Sequence, residues 1–173
     1  MSKVERTREV RVFEGGWRIE RMTEHDLLEV VRIEESTGLS RWGWEAYHAE
    51  LIGGHDGLML VARSVPRLAE DERLAGFVAS RMIADELHIN NIAVRPRHRR
   101  SGIGGALLCA ALEGGAKVGA RLCILEVRAS NHAAQTLYER HGFRIVGRRA
   151  GYYSEPPEDA LVMSRALTVE TPA

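Results

Sequence analysis

Between Glu86 and Val127 the sequence passes through a strand, a basic glycine-rich turn, a helix and a second strand, and that order admits only a sheet with at least one parallel pair. Glu86 to Val94 reads as a strand closed by Pro96, Gly102 to Lys117 as a helix, and Leu122 to Val127 as the next strand. Two strands joined through a helix lie parallel with a right-handed crossover, because only that hand packs the helix back onto a twisted sheet. The last two strands, Phe143 to Arg148 and Ala160 to Leu167, are close enough along the chain to pair antiparallel. The expected class is therefore α/β (α+β) with a mixed sheet.

The rest of the chain fits around that unit. Trp17 to Arg21 has strand character, and Thr23 is placed to cap a helix in which Leu27, Val30, Val31 and Ile33 recur at helical spacing before Gly38 stops it. A second helix is expected over Trp44 to Ile52, ended by Gly53-Gly54, followed by strands at Leu58 to Arg63 and Leu74 to Met82. Pro66 to Arg73, charged and interrupted by proline, reads as an exposed hairpin loop. Asn131 to His141 is helical with Gly142 as its stop, and the stretch from Arg148 to Ala160 reads as a loop between the last two strands. At 173 residues the chain suits one domain, expected over 17–167, with 1–16 as a leader or short extra strand around Val10 to Phe13 and 168–173 as a tail.

Charge and cysteine content exclude several classes. The 24 basic and 24 acidic side chains cancel, which argues against general nucleic-acid binding. The two cysteines, Cys109 and Cys123, have neither Cys-x-x-Cys nor metal spacing, so no disulfide framework and no metal site are expected. No apolar run is long enough to span a bilayer, and the charged start lacks a signal-peptide core, so a cytoplasmic protein without membrane contact is expected.

The most informative string runs Asn91-Ile92-Ala93-Val94-Arg95-Pro96-Arg97-His98-Arg99-Arg100-Ser101-Gly102-Ile103-Gly104-Gly105-Ala106. Glycines at 102 and 104 allow backbone angles closed to other residues and let amide N–H groups converge on an anion, and the helix that follows adds its partial positive charge. A diphosphate is the natural ligand, with Arg97, Arg99 and Arg100 available for charge-assisted contacts. A Walker A loop is excluded because no Gly-Lys-Ser/Thr follows. A dinucleotide fingerprint would place an acid such as Glu126 roughly 20 residues further on, but Leu107 occupies its third glycine position. A basic loop that merely contains glycines stays open on the spacing alone.

The form Arg-x-x-Gly-x-Gly after a strand ending Ile-Ala-Val resembles the coenzyme A motif of the GCN5-related N-acetyltransferase (GNAT) superfamily. The resemblance implies a mixed, mostly antiparallel sheet of about six or seven strands with about four helices, and a splayed parallel pair at the cofactor site. It implies acetyl-CoA as cosubstrate. Ile92, Ala93 and Val94 would meet the acetyl-pantetheine arm through main chain, and Arg99, Arg100, Ser101, Gly102, Ile103, Gly104 and Gly105 would hold the pyrophosphate. The bulge of that strand would offer an N–H near Val94 to the oxyanion.

On Leu122 to Val127, Glu126 shares a face with Leu122 and Ile124, which makes it a candidate base or a sheet-edge carboxylate paired with an arginine. Tyr138, on the following helix, is a core or rim tyrosine by position alone. The run Leu125-Glu126-Val127-Arg128-Ala129-Ser130-Asn131, then Leu137-Tyr138-Glu139 and Gly142-Phe143, resembles the ribosomal-protein-alanine N-acetyltransferases, the RimI type. That resemblance implies Glu126 as proton acceptor, Tyr138 as proton donor to the departing thiolate, Asn131 as a cofactor contact, and Tyr152 with Tyr153 as walls of the acceptor slot. Trp42 and Trp44 are either slot or core residues.

The sequence departs from the type at Gly151, where Asn is frequent, and at His132, where a small residue is common. A protein N-terminus, of a small-subunit ribosomal protein by the resemblance, is the expected partner, and a monomer or weak dimer the expected state. An α-amine titrates near pH ~7.7 to 8.0, so on the order of a tenth is neutral at pH 7, against less than about a thousandth of a lysine. Such an acceptor asks little of its base. The alternatives are a lysine or small-amine acetyltransferase, and a coenzyme A-sensing module without turnover.

Overall fold

The computed structural model describes residues 11–13, 16–39, 41–53, 57–65 and 72–168. In chain order these form β1 (Arg11–Phe13), β2 (Trp17–Arg21), α1 (Leu27–Thr37), α2 (Gly43–Ile52), β3 (Gly57–Ser64), β4 (Leu74–Ile83), β5 (Glu86–Val94), α3 (Ile103–Lys117), β6 (Leu122–Arg128), α4 (His132–Arg140), β7 (Arg144–Ser154) and β8 (Pro157–Ala166). The first part of the leader, residues 66–71 of the expected hairpin loop, Gly54 and the tail beyond 168 lie outside the described residues.

All eight strands join one sheet in the order β1-β2-β3-β4-β5-β6-β8-β7. Only β5 and β6 run parallel, joined through α3; every other neighbouring pair is antiparallel. The mixed sheet expected from the sequence is thus present, with Arg11–Phe13 added to its edge against Trp17–Ile19.

Local signals set the helix ends. The Thr23 main-chain N–H and hydroxyl both donate to Asp26 Oδ2 at 2.9 Å, fixing the entry to α1. Gly38 ends that helix at φ +70, and Gly142 follows α4 at φ +81. Asn131 caps α4 by accepting from the Ala134 N–H at 3.1 Å.

The core lies in two layers, one on each side of the sheet. On one side α3 buries Ile103, Leu107, Leu108 and Ala111 against Leu58, Val78, Leu87 and Leu125; on the other, Leu27, Val30 and Ile33 of α1 with Tyr47 of α2 cover Val61, Phe77, Ala79 and Ala93. β4 lies between the layers, and Leu74 to Ser80 are all buried. Cys123 belongs to the α3 layer, where burial pushes its thiol up to about 12.

Two details differ from expectation. The stretch read as a loop from Arg148 to Ala160 is mostly strand: β7 continues to Ser154 and β8 begins at Pro157, a long hairpin in which Arg148 and Gly151 both donate to the Asp159 carboxylate, at 2.7 and 2.8 Å. Its glycine and charges resemble loop composition, but cross-strand pairing holds them extended. The second detail is the bulge of β5, which lies at Asn90, because Ile89 pairs with Ser80 and Asn91 with Ala79. One extra residue reverses which face alternate side chains take. Leu87 and Ile89 accordingly pack in the α3 layer, whereas Asn91 and Ala93 face α1 and α2.

Gly76 of β4 lies opposite Val94, where an added Cβ would strike the Ala93 carbonyl oxygen and approach the Val94 Cα to 3.1 Å. Backbone cannot retreat as a flexible side chain can. Gly76→Ala is expected to destabilise the fold by about 1–3 kcal/mol, seen as a lower urea midpoint at unchanged m-value.

Candidate active site

The parallel pair of β5 and β6 is short. Pairing runs only from Glu86↔Leu122 to Ile89↔Leu125, while β5 continues to Val94 beside β4 and β6 continues to Arg128 beside β8. Past Ile89 and Leu125 the two strands part, which leaves the β6-facing main chain of Asn90 to Val94 without a strand partner. The bulge at Asn90 sits at the point of parting.

At the end of β5 the chain passes through a tight turn, Pro96–His98, and reaches Arg100 at φ +64 and Gly102 at φ +84. Left-handed positions in near succession curl the backbone so that its N–H groups face one concavity. α3 then starts with Gly102 as its N-cap and no side-chain cap, and its first intrahelical bond runs from the Ala106 N–H to the Gly102 carbonyl at 3.0 Å. The N–H groups of Ile103, Gly104 and Gly105 therefore precede any intrahelical acceptor. A Cβ on Gly102 would meet nothing within 4 Å, so the turn opens on free space.

This arrangement fits a diphosphate. Arg99 and Arg100 are exposed at its rim, Arg99 with Nε donating to the Val94 carbonyl at 3.3 Å, while Arg97 is turned away in an ion pair with Glu72. Val94 contributes to the α3 layer, and Ala93 is buried against α1 and α2, so only the main chain of Ala93 is available to a ligand.

Between the parted strands lies a groove of about 490 Å³. Ile92, Glu126, Asn131, Tyr138, Tyr152 and Tyr153, each singled out in the sequence, all line it. The groove also takes in residues that sequence reasoning missed: Asn90 and Asn91 on its floor, and Thr37, Gly38 and Leu39 from the end of α1. Two adjacent asparagines in the middle of β5, just before the apolar Ile92-Ala93-Val94, were the available signal for the first pair. Trp42 lines the groove; Trp44 instead stacks on His48, with ring centroids 4.4 Å apart.

Glu126 projects from the less buried face of β6, where its carboxylate meets the Arg149 guanidinium at 3.3 Å. The Arg149 side chain is 56% exposed, and an ion pair so open to water is weak and easily exchanged. Tyr138 is buried beside Phe143, ring centroids 5.9 Å apart, and desolvation pushes its phenol well above the usual range. It stays protonated at any physiological pH.

Tyr152 and Tyr153 meet edge to face at 5.1 Å on β7. The Arg128 guanidinium lies 4.1 Å from the centre of the Tyr153 ring while donating to the carbonyls of Glu155 and Pro156 and to Glu158, and Glu158 in turn accepts from the Ser130 N–H at 2.6 Å. One arginine thus holds the hairpin tip against the end of β6. Burial pushes the Tyr153 phenol up to about 12.

No group of three His, Cys, Asp or Glu that could hold a metal occurs among the described residues, and no helix there is long and apolar enough to cross a membrane.

The Acetyltransferase (GNAT) family model matches residues 25–143, a span that includes the parted strands, the glycine turn and Tyr138. The chain belongs to the GNAT acetyltransferase family. It is similar to a Bacillus subtilis protein named provisionally as a ribosomal protein bS18-alanine N-acetyltransferase, at 34% identity over 145 residues, 84% of this chain and 92% of that protein. It is also similar to the Escherichia coli K12 ribosomal protein bS18-alanine N-acetyltransferase, at 37% identity over 105 residues, 60% of this chain and 71% of that protein.

The crystal structure of the Escherichia coli ribosomal-protein-S18-alanine N-acetyltransferase superposes with a TM-score of 0.77 at 29% identity, covering 90% of this chain and 96% of that one. Family and relatives together make this GNAT protein an acetyl-CoA-dependent N-acetyltransferase of the RimI type.

Proposed function

We propose that the protein acetylates the α-amine of a protein N-terminus, that of a bS18-type small-subunit ribosomal protein beginning with alanine, by direct attack within a ternary complex. The observation that carries this reading is the single groove in which Glu126, Tyr138 and the Tyr152-Tyr153 pair converge at the open end of β5 and β6. The names of the relatives supply the acceptor.

Acetyl-CoA supplies an acetyl group already activated as a thioester. On this reading, the N–H groups from Arg100 to Gly105 bind its pyrophosphate, with the Arg99 and Arg100 side chains at the rim and Asn131 beside the arm. The unpaired main chain of Asn90 to Val94 orients the acyl end and donates to the oxyanion, which moves the expected donor back from Val94 toward the bulge.

The acceptor chain enters between the α1 end and the two tyrosines, displacing Arg149 from Glu126 as its amine approaches. Glu126 takes the proton that the attacking nitrogen loses, and Tyr138 gives its proton to the departing sulfur. Positioning in the groove supplies much of the remaining acceleration.

The test offers acetyl-CoA with three acceptors: a peptide of the N-terminal sequence of the cognate bS18, the same peptide with a blocked α-amine and an internal lysine, and a free polyamine as a small-molecule control. Mass spectrometry is expected to place acetyl on the α-amine of the first only. Transfer to lysine or polyamine with none to the α-amine overturns the reading.

A further inference from the structure

Glu34, near the end of α1, is a carboxylate that no step above uses, and it is only 1% exposed. Its Oε1 accepts from the Trp42 main-chain N–H at 2.8 Å and from the Tyr47 hydroxyl at 2.8 Å, and its Oε2 accepts from the Gly43 N–H at 3.1 Å. Asn91 Nδ2 donates to the Tyr47 hydroxyl at 2.7 Å and more distantly to Glu34 Oε1 at 3.4 Å. Three segments meet at this carboxylate: α1, α2 through its N-terminal end and the Tyr47 hydroxyl, and β5 beside its bulge.

Chemically the site is a helix cap supplied from outside the helix. Trp42 is the N-cap of α2 and Gly43 its first residue, no side chain of their own segment caps them, and their N–H groups lie at the positive end of the helix dipole. A buried carboxylate is costly unless donors surround it, and here the donors do. Such an ion contributes little net stability compared with apolar packing of the same volume. Its distinctive effect is geometric, because the chain from Thr37 to Leu39 and Trp42 walls the groove on one side, while Asn91, Asn90 and Ile92 floor it.

We propose that Glu34 is a positioning residue for the acceptor. Through Tyr47 and Asn91 it holds the α1–α2 wall at one distance from the cofactor strand, and so sets affinity for the acceptor chain while leaving acetyl-CoA binding to the turn after β5. This rests on the groove being the acceptor site.

The experiment compares the full chain with Glu34→Gln and Tyr47→Phe. Gln keeps the shape and one oxygen but turns an NH₂ toward a donor, so one buried N–H loses its acceptor. Expected for Glu34→Gln is an acceptor KM raised about tenfold, with kcat and acetyl-CoA Kd each within about twofold. Amide exchange at Trp42 and Gly43 should quicken, a readout that needs no turnover. Tyr47→Phe keeps the cap and cuts the link to Asn91, for an acceptor KM about threefold higher.

An unchanged acceptor KM in Glu34→Gln, or equal losses in acetyl-CoA and acceptor affinity, overturns the proposal. Should Glu34→Gln fail to fold, an unchanged acceptor KM in Tyr47→Phe overturns it. A wild-type protein that acetylates only lysine side chains sinks the N-terminal reading alone, and the same two results then decide the role of Glu34 on that acceptor.

Discussion

Glu126→Gln is expected to lower kcat at pH 7 by about 10²- to 10³-fold while acetyl-CoA affinity stays within about twofold. The substitution removes a proton acceptor and leaves the side-chain volume intact. It also breaks only an exposed ion pair with Arg149, which contributes little to stability, so the melting temperature should hardly move. The deficit should shrink as pH rises through ~8, where the α-amine arrives already neutral and one of the two protons it must lose is gone. Steady-state kinetics from pH 6.5 to 9, with calorimetric titration of acetyl-CoA, separate this outcome from its rival. If Glu126 only braces Arg149 at the sheet edge, turnover stays within a fewfold of wild type and the assigned role falls.

Tyr138→Phe is expected to cost less, about 10- to 10²-fold in kcat at pH 7. The leaving group is a thiolate, whose conjugate acid titrates near ~8.5 if it follows the cysteine thiol, so its departure without a proton is unfavourable at pH 7 by only about 1.5 powers of ten. That ceiling is why the acid contributes less than the base. Phe keeps the ring against Phe143, so the core is undisturbed. Burial holds the wild-type phenol protonated throughout the range, and the deficit of the variant should therefore fade as pH rises through ~8.5 and the thiolate leaves unaided. A deficit that grows with pH would exclude Tyr138 as the donor.

Both residues were readable from motif resemblance, yet their environments were not. The alternation of β6 put Glu126 on one face with Leu122 and Ile124, and the structure shows the opposite face, Cys123, Leu125 and Val127, to be the buried one. Nothing local showed that Arg149, from the far side of the β7–β8 hairpin, would sit on its carboxylate. Tyr138 looked like an ordinary core tyrosine by helical position, and it is indeed buried; only its place in the groove with Glu126 distinguishes it. The tyrosine pair was assigned to a loop because Gly151, Ser154 and two prolines carry turn composition, and the pairing of β7 with β8 overrode that preference.

What the sequence determined by itself was the strand-turn-helix-strand unit with its glycine turn, the caps at Thr23 and Asn131, and the glycine stops at Gly38 and Gly142. Those features rest on interactions between residues a few positions apart, namely side-chain period, a capping oxygen, and a φ open to glycine, and such interactions are written in local composition. Only the tertiary structure decided where β5 and β6 part, that the extra residue at Asn90 reverses the faces of β5, and that Glu34 binds the start of α2 to Asn91. These depend on register and on contacts between segments tens of residues apart. Their energies arise only when the whole sheet is assembled.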